Sequence, residues 1–142
     1  LRNAIDHGIE TKPERIQAQK DIQGHIQIKI IANDDKVEIK VSDDGKGLNM
    51  KRLFEIGIER KIWQANNKPA AHEIANLVFK SAVTTKSTVT DISGRGAGMD
   101  AVKQFLIDHD GDIHIHLLDK PGSDYVPFET IISLPKKFFI KR

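Results

Sequence analysis

The sequence predicts an α+β fold, a two-layer sandwich in which helices cover one face of a mixed, mostly antiparallel sheet. Two pairs of segments alternate apolar and polar residues with the period of a β-strand. Helical stripes of apolar residues lie between those two pairs. Since the first two strands are joined by a short polar turn, we expect them to form an antiparallel hairpin rather than part of a parallel sheet.

The first elements are predicted to be two helices. Leu1, Ile5 and Ile9 recur with helical spacing, and no capping residue precedes them. We therefore expect the chain to be an N-terminally truncated piece of a longer protein. Pro13 can begin a short second helix that runs to about residue 20.

Four strands and three more helices follow. The hairpin strands are predicted around 26–30 and 37–41, with a turn over 33–35. Helices are expected over about 50–60, over 73–79 and from Met99 to about His109, and the last two strands over about 112–118 and 128–134. In the third of these helices, the residues expected on the buried side are Met99, Val102, Phe105 and Leu106.

Length and composition fit one globular domain over residues 1–142. The chain has 142 residues, 39% of them hydrophobic and 30% charged, with a net charge of +2. Because the basic residues are dispersed, nucleic acid is not an expected partner. Without cysteine, neither a disulfide nor a thiolate zinc site can form. No apolar run reaches the ~20 residues of a membrane span, so we expect a cytoplasmic domain; a membrane anchor elsewhere in the parent protein is compatible with this.

Asp43 is the first candidate site residue. It continues the alternation of Val37, Ile39 and Val41, so its carboxylate should point to the same face as those side chains. A carboxylate placed there needs hydrogen-bond donors, and the exocyclic amine of adenine is a suitable one. The glycines that follow would let the backbone approach the base. Asp43-Asp44-Gly45 is also a common turn sequence, and this alternative stays open.

A second glycine cluster, Gly94-Arg95-Gly96-Ala97-Gly98, immediately precedes a predicted helix. Free backbone N–H groups at such a point form an anion site suited to phosphates. A flexible loop with a glycine cap is the alternative. The preceding stretch is rich in Ser and Thr, and residues 80–97 are predicted to form a lid over a ligand.

Asn3, Asp6 and His7 share one side of the first predicted helix. The amide oxygen of Asn3 is a hard ligand that can coordinate Mg²⁺. His7 could donate to a phosphate or pack under a ribose. An exposed helix face carrying ordinary polar residues is the alternative.

Three motifs resemble the ATP-binding domain of CheA-like histidine kinases. Residues 1–10 (LRNAIDHGIE) resemble the N-box, residues 41–48 (VSDDGKGL) the first glycine box, and residues 93–103 (SGRGAGMDAVK) the second. The residues Ser133-Leu134-Pro135 resemble the closing strand. The resemblance spans the whole chain and implies the Bergerat-type ATP-binding fold, which is shared with gyrase, Hsp90 and MutL.

The resemblance also implies roles for these residues. Asn3 would coordinate Mg²⁺, Asp43 would accept from the adenine amine, and no side chain would be catalytic beyond positioning ATP and metal. In full, the residues implied at the ATP site are Asn3, Asp6, His7, Asp43, Gly45, Gly47, Leu48, Thr84, Thr85, Lys86, Gly94, Arg95, Gly96, Ala97, Gly98 and Met99.

The implied activity is that of a histidine protein kinase with ATP and Mg²⁺. The γ-phosphate would pass to a histidine on another domain, of the same or a partner chain, and from there to a response regulator. An ATPase or serine kinase of the same superfamily is an alternative; it would use a Glu four residues before Asn3, a position upstream of Leu1. A non-catalytic interaction module is a third possibility, and the retained glycines and Asp43 argue against it.

Overall fold

The computed structural model describes residues 9–64, 66, 69–80, 99–120 and 124–139. The strands within them are β1 Ile26–Ala32, β2 Lys36–Asp43, β3 Leu48–Asn49, β4 Asp112–Leu117, β5 Tyr125–Val126 and β6 Phe128–Pro135. Four of these strands form one sheet in the order β1-β2-β6-β4, and every pairing is antiparallel. The other two, β3 and β5, form a separate two-stranded ribbon.

Helices pack on one face of the four-stranded sheet, mainly over β4. The helical segments are α1 Lys12–Gln17, α2 Met50–Glu59, α3 Ala71–Ala75 with a 3₁₀ turn over Asn76–Phe79, α4 Met99–Asp108, and a last 3₁₀ turn over Lys136–Phe139. The predicted two-layer α+β fold is therefore confirmed, and the predicted hairpin joins β1 to β2. No helix among the described segments is long and apolar enough to cross a membrane.

The β1–β2 hairpin forms because Asn33 organises its turn. The side-chain oxygen of Asn33 accepts hydrogen bonds from the backbone N–H groups of Asp35 and Lys36, at 3.1 and 2.8 Å. This Asx turn sets the register that places Ile28 opposite Val41. By strand alternation, Asp43 then lies on the same sheet face as Val41.

The core lies between the helices and the β4 side of the sheet. Ile113 and Ile115 of β4 are 2% and 4% exposed. They belong to one cluster with Met50, Ala75, Phe79, Leu106 and Val126, and a second cluster joins Leu53, Ile56 and Leu77. On the same sheet face, Ile28 and Ile30 of β1 are 48% and 68% exposed. The apolar packing is therefore concentrated at β4.

The prediction for the buried side of α4 was partly wrong. Leu106 is buried, but Val102 and Phe105 are 41% and 58% exposed. The helix is rotated toward Lys103, whose ammonium lies 5.1 Å from the Phe79 ring centroid and donates to the carbonyl of Ile113. A lysine stem can cover apolar surface while its charged end reaches a carbonyl, and this packing displaced the phenylalanine.

The free edge of β4 is covered by side chains. The Asn76 carboxamide accepts from the N–H of Ile115 at 2.8 Å and donates to the carbonyl of the same residue at 3.3 Å. Lys103 donates to the Ile113 carbonyl at 3.3 Å. These contacts tie the 3₁₀ turn after α3 and the helix α4 to the sheet.

Candidate functional site

The turn that follows β2 presents one open carboxylate oxygen. Asp43 is the last residue of β2, and its Oδ1 atom accepts the backbone N–H of Gly45 at 2.8 Å. Among the residues that the structure describes, none donates a hydrogen bond to the other oxygen, Oδ2. Asp43 thus closes its own turn with one oxygen and leaves the other available as an acceptor. The two interpretations of this sequence, a turn and a ligand acceptor, are compatible in one residue.

Gly47 brings the end of the same turn against β5. Its φ is +91°, a region that side chains rarely adopt. A Cβ atom at this position would lie 2.6 Å from the carbonyl oxygen of Val126. Only glycine therefore fits here, and the next residue, Leu48, pairs with Val126 in the ribbon.

The β3–β5 ribbon, which the sequence pattern does not predict, leads directly from the turn into α2. Asn49 caps α2 by accepting the N–H of Arg52 at 3.1 Å, and its amide donates to the Tyr125 hydroxyl at 3.3 Å. The Met50 N–H donates to the carbonyl of Asp124 at 2.8 Å. The turn is therefore fixed at its C-terminal end by the ribbon and the helix cap together.

A buried arginine fixes the N-terminal side of the turn. The helix α1 begins at a capping box between Thr11 and Glu14, and this places Arg15 toward the turn. The Arg15 side chain is fully enclosed; it donates to Glu10 Oε1 at 3.0 Å and to Asp44 Oδ2 at 2.8 Å. It also donates to the backbone carbonyls of Asp21 and Gln23, at 2.5 and 3.2 Å.

Lys20 completes this group of charges. Its ammonium donates to Glu10 Oε2 at 2.6 Å and to the carbonyls of Asp44 and Gly45, at 2.9 and 3.1 Å. Two cations and two carboxylates thus form a charge-balanced network, which we call the turn-anchoring network: Glu10, Arg15, Lys20 and Asp44. Through this network, Arg15 and Lys20 hold the turn by an ion pair to Asp44 and by hydrogen bonds to the carbonyls of Asp44 and Gly45.

The pKa values of the network reflect these contacts. Burial raises the pKa of Glu10 and of Asp44, but hydrogen bonds and positive charges outweigh burial, and both pKa values end below their ordinary values. For Glu10 the hydrogen bond comes from Lys20; for Asp44 it comes from Arg15 and from the His25 N–H. The hydrogen bond to Asp44 raises the pKa of Arg15. All three groups are therefore charged at neutral pH.

Thr130 was not among the predicted site residues, but the register brings it to this end of the sheet. It pairs with Val41, the residue two before Asp43. Directly opposite residues share a sheet face, so Thr130 lies on the face of Asp43, diagonal to it. Only the strand register reveals this position of Thr130. The register depends on the pairing of β2 with β6 and cannot be derived from either segment alone.

Of the predicted site residues, Asp43, Gly45, Gly47 and Leu48 lie together in the turn after β2 and at the start of β3. Met99 begins α4 and packs, like Leu48, against the first core cluster. The other predicted residues lie outside the described residues: Asn3, Asp6, His7, Thr84, Thr85, Lys86, Gly94, Arg95, Gly96, Ala97 and Gly98. Among the described residues, no group of three or more His, Asp or Glu side chains could hold a metal ion.

Architecture and sequence together define the class of this domain. The fold is the two-layer α+β arrangement of the Bergerat type, with the glycine turn at the end of a central strand. The family model of histidine kinase-, DNA gyrase B- and HSP90-like ATPases matches residues 1–136. The chain belongs to this family of ATPases.

Its curated relatives confirm the predicted resemblance to CheA-like kinases. The chain is 34% identical to the chemotaxis protein CheA of Rhizobium meliloti, over 86% of this chain and 16% of that protein. It is 37% identical to the gliding motility regulatory protein of Myxococcus xanthus, over 73% of this chain and 14% of that protein. It is 38% identical to the sensor histidine kinase CheAY of Helicobacter pylori, over 81% of this chain and 15% of that protein. The chain thus spans about one sixth of these proteins.

A solved structure also resembles this chain. It is a mycobacterial sensor histidine kinase, MprB, with a TM-score of 0.46 and 20% sequence identity. The match covers 79% of this chain and 56% of that structure.

Proposed function

We propose that this chain, as one domain over residues 1–142, is the nucleotide-binding catalytic domain of a CheA-like histidine kinase. It binds Mg-ATP and supplies the γ-phosphate to a histidine on another domain, of the same or a partner chain. A response regulator then receives the phosphate. The observation that carries this proposal is the open Oδ2 atom of Asp43 beside a turn that only Gly47 can form.

Asp43 recognises the adenine base in this proposal. Adenine carries an amine donor at the edge where guanine carries a carbonyl, so a fixed carboxylate oxygen favours adenine. In this proposal the backbone at Gly45 and Gly47 would lie against the flat ring, and Leu48 would supply an apolar contact. A ligand amine would also supply the donor that Oδ2 lacks among the described residues.

The triphosphate would lie between the first motif, residues 1–10, and the second glycine box, residues 93–103. Gly94, Gly96 and Gly98 would offer backbone N–H groups to it, with Arg95, Ala97 and Met99 in the same segment. Residues 80–97, with Thr84, Thr85 and Lys86, would form the lid. Asn3 would hold Mg²⁺, His7 would lie beside the phosphates, and Asp6 would belong to the same ATP site. The metal, when bound, would neutralise phosphate charge during transfer.

Phosphoryl transfer needs positioning and charge neutralisation more than covalent chemistry from the protein. The domain would therefore orient ATP while a histidine from another domain attacks the γ-phosphate in line. Because the reaction consumes ATP, we expect it to take place in the cytoplasm. The domain alone is expected to bind nucleotide without becoming phosphorylated.

Nucleotide titration tests the adenine role. Isothermal titration with ADP and Mg²⁺ should show binding by the wild type and a loss of about tenfold or more in affinity for Asp43→Asn. The amide oxygen would keep the Gly45 N–H, so the amide NH₂, a donor, would face the amine donor of adenine in place of a charged acceptor. Asp34→Asn is the matched control, since Asp34 is exposed in the hairpin turn at the far end of the same strands. Equal ADP affinity in all three proteins would contradict the proposed role of Asp43.

A transfer assay tests the kinase role. The domain is mixed with radiolabelled ATP and a separately purified phosphoacceptor domain of a CheA protein. Acid-labile, base-stable label on the acceptor domain, dependent on both components and reduced by Asp43→Asn, is the expected result. Release of inorganic phosphate or label on serine would instead support the ATPase or serine-kinase alternative.

A further inference from the structure

Arg15 has no part in the predicted motifs, yet it is the one buried charged residue in the part of the chain that the structure describes. Its side chain is 0% exposed, against 9% for Glu10 and 39% for Asp44. Removing a guanidinium from water is costly unless nearly all of its donors are paired. Here they are paired with two carboxylates and two backbone carbonyls.

We propose that Arg15 is a positioning residue for base selectivity: with Lys20, it fixes the direction of the Asp43–Gly47 turn and so aims the open oxygen of Asp43 at the base edge. This inference rests on the proposed function, because it concerns how the same site distinguishes adenine from other bases. Arg15 itself does not contact the base in this proposal. It acts through Asp44 and through the backbone of the turn.

The contacts of Lys20 explain how the direction is set. Its ammonium binds the carbonyls of two successive residues, Asp44 and Gly45. While these carbonyls point toward Lys20, the Gly45 N–H remains directed at Asp43 Oδ1. A rotation of the peptide between Asp44 and Gly45 would remove that donor and bring a carbonyl oxygen toward the carboxylate. The ammonium opposes this rotation.

Arg15 fixes the side chain next to the acceptor in the same way. Asp44 Oδ2 accepts from Arg15, and Asp44 Oδ1 accepts the His25 N–H at 2.9 Å. Both oxygens of Asp44 are therefore committed, which directs this carboxylate away from the side on which Asp43 Oδ2 is open. The two adjacent aspartates therefore differ in role: Asp44 anchors the turn, and Asp43 keeps Oδ2 available to accept a hydrogen bond.

Glu10 locks both cations together. Its two oxygens accept from Arg15 and from Lys20, at 3.0 and 2.6 Å. Packed apolar residues of similar volume could replace such a network with little loss of stability. They could not set the direction of two carbonyls and a carboxylate, since apolar contacts are not directional. The charged network therefore points to a geometric role.

The test is the ratio of GDP to ADP dissociation constants, measured by titration with Mg²⁺. The wild type should prefer ADP. In Arg15→Met, which keeps the volume and removes the donors, the turn relaxes and the preference should fall about tenfold, the size expected when one charge-assisted hydrogen bond to the base is lost. Lys20→Met should lower the same ratio. The two nucleotides share ribose and phosphates, so the ratio isolates the base.

Ile113→Ala is the control for simple destabilisation. Ile113 is buried in β4, two strands away from β2 and pairs with Ile132, which pairs in turn with Ile39. A variant that is partly unfolded binds both nucleotides more weakly by the same factor, because the binding-competent fraction multiplies both affinities. The control should therefore keep the wild-type ratio even if its melting temperature falls as far as that of Arg15→Met.

An unchanged ratio in both Arg15→Met and Lys20→Met would overturn the positioning role and leave the proposed function intact. If Arg15→Met does not fold, Asp44→Asn, which keeps the shape and removes the charge that Arg15 binds, takes its place, and an unchanged ratio there has the same meaning. A wild-type domain that binds neither nucleotide, or binds both equally, would overturn the proposed function itself.

Discussion

The two outer strands of the sheet are supported in different ways. At β4, the isoleucine side chains are buried under helices, and the strand edge is covered by Asn76 and Lys103. At β1, Ile28 and Ile30 remain exposed, and the neighbouring turn is held by the turn-anchoring network. The β4 side thus contributes stability through burial, while the β1–β2 side supplies directed contacts at the turn that we propose as the adenine site.

The largest expected effect is on the apolar side of this comparison. Ile113→Ala should lower the free energy of unfolding by about 3 kcal/mol, because a buried side chain is lost and the packed surroundings close only partly. Chemical denaturation followed by circular dichroism measures it. Ile28→Ala is the matched control in the exposed part of the same sheet face and should change stability by less than about 1 kcal/mol. Similar losses for both would remove the contrast between the two strands.

Gly47→Ala tests the other side and should have a somewhat smaller effect. The left-handed backbone and the contact with the Val126 carbonyl should together cost about 2 kcal/mol of stability. ADP affinity should fall as well, beyond what the lost stability explains, since the turn itself must shift. Calorimetric melting and ADP titration on the same protein separate the two effects. If Gly47→Ala lowers stability but binds ADP as tightly as the wild type under conditions where both proteins are fully folded, Gly47 lies outside the site.

The smallest expected effect is the pH dependence of the turn-anchoring network. Glu10 and Asp44 have pKa values lowered below their ordinary 4.5 and 3.8. The folded state therefore binds fewer protons than the unfolded state in this range, so the stabilisation is fully present above about pH 5.5 and is lost as pH falls through the folded pKa values. We expect the melting temperature of Glu10→Gln to fall less steeply between pH 6 and 3 than that of the wild type. Parallel curves would show that Glu10 contributes nothing to the acid response.

Much of the fold could be predicted because local patterns and tertiary structure agree. The alternation in β1 and β2, the Asn33 turn and the order of elements were readable from residue types alone. The β3–β5 ribbon was not, since two-residue strands have no period to detect. The rotation of α4 was not either: Lys103 and Phe105 lie on opposite sides of the helix, and which side packs inward depends on the Phe79 ring and a β4 carbonyl.

The candidate site divides in the same manner. Asp43 and the glycines after it were predicted from chemistry carried within a few residues. The anchoring by Arg15 was not, because a basic residue in a polar segment normally indicates an exposed helix. Its acceptors are four residues, the most distant of them 29 positions along the chain. The position of Thr130 on the face of Asp43 could not be predicted for a related reason, since it follows only from the register of β2 with β6.

The Asn76 carboxamide affects whether two copies of this domain can pair through their sheet edges. A sheet edge with free N–H and C=O groups is a template on which a strand of another molecule can add. By bonding both groups of Ile115, this one side chain imitates the backbone of an additional strand. The domain therefore carries its own protection against growing, edge to edge, into a fibre.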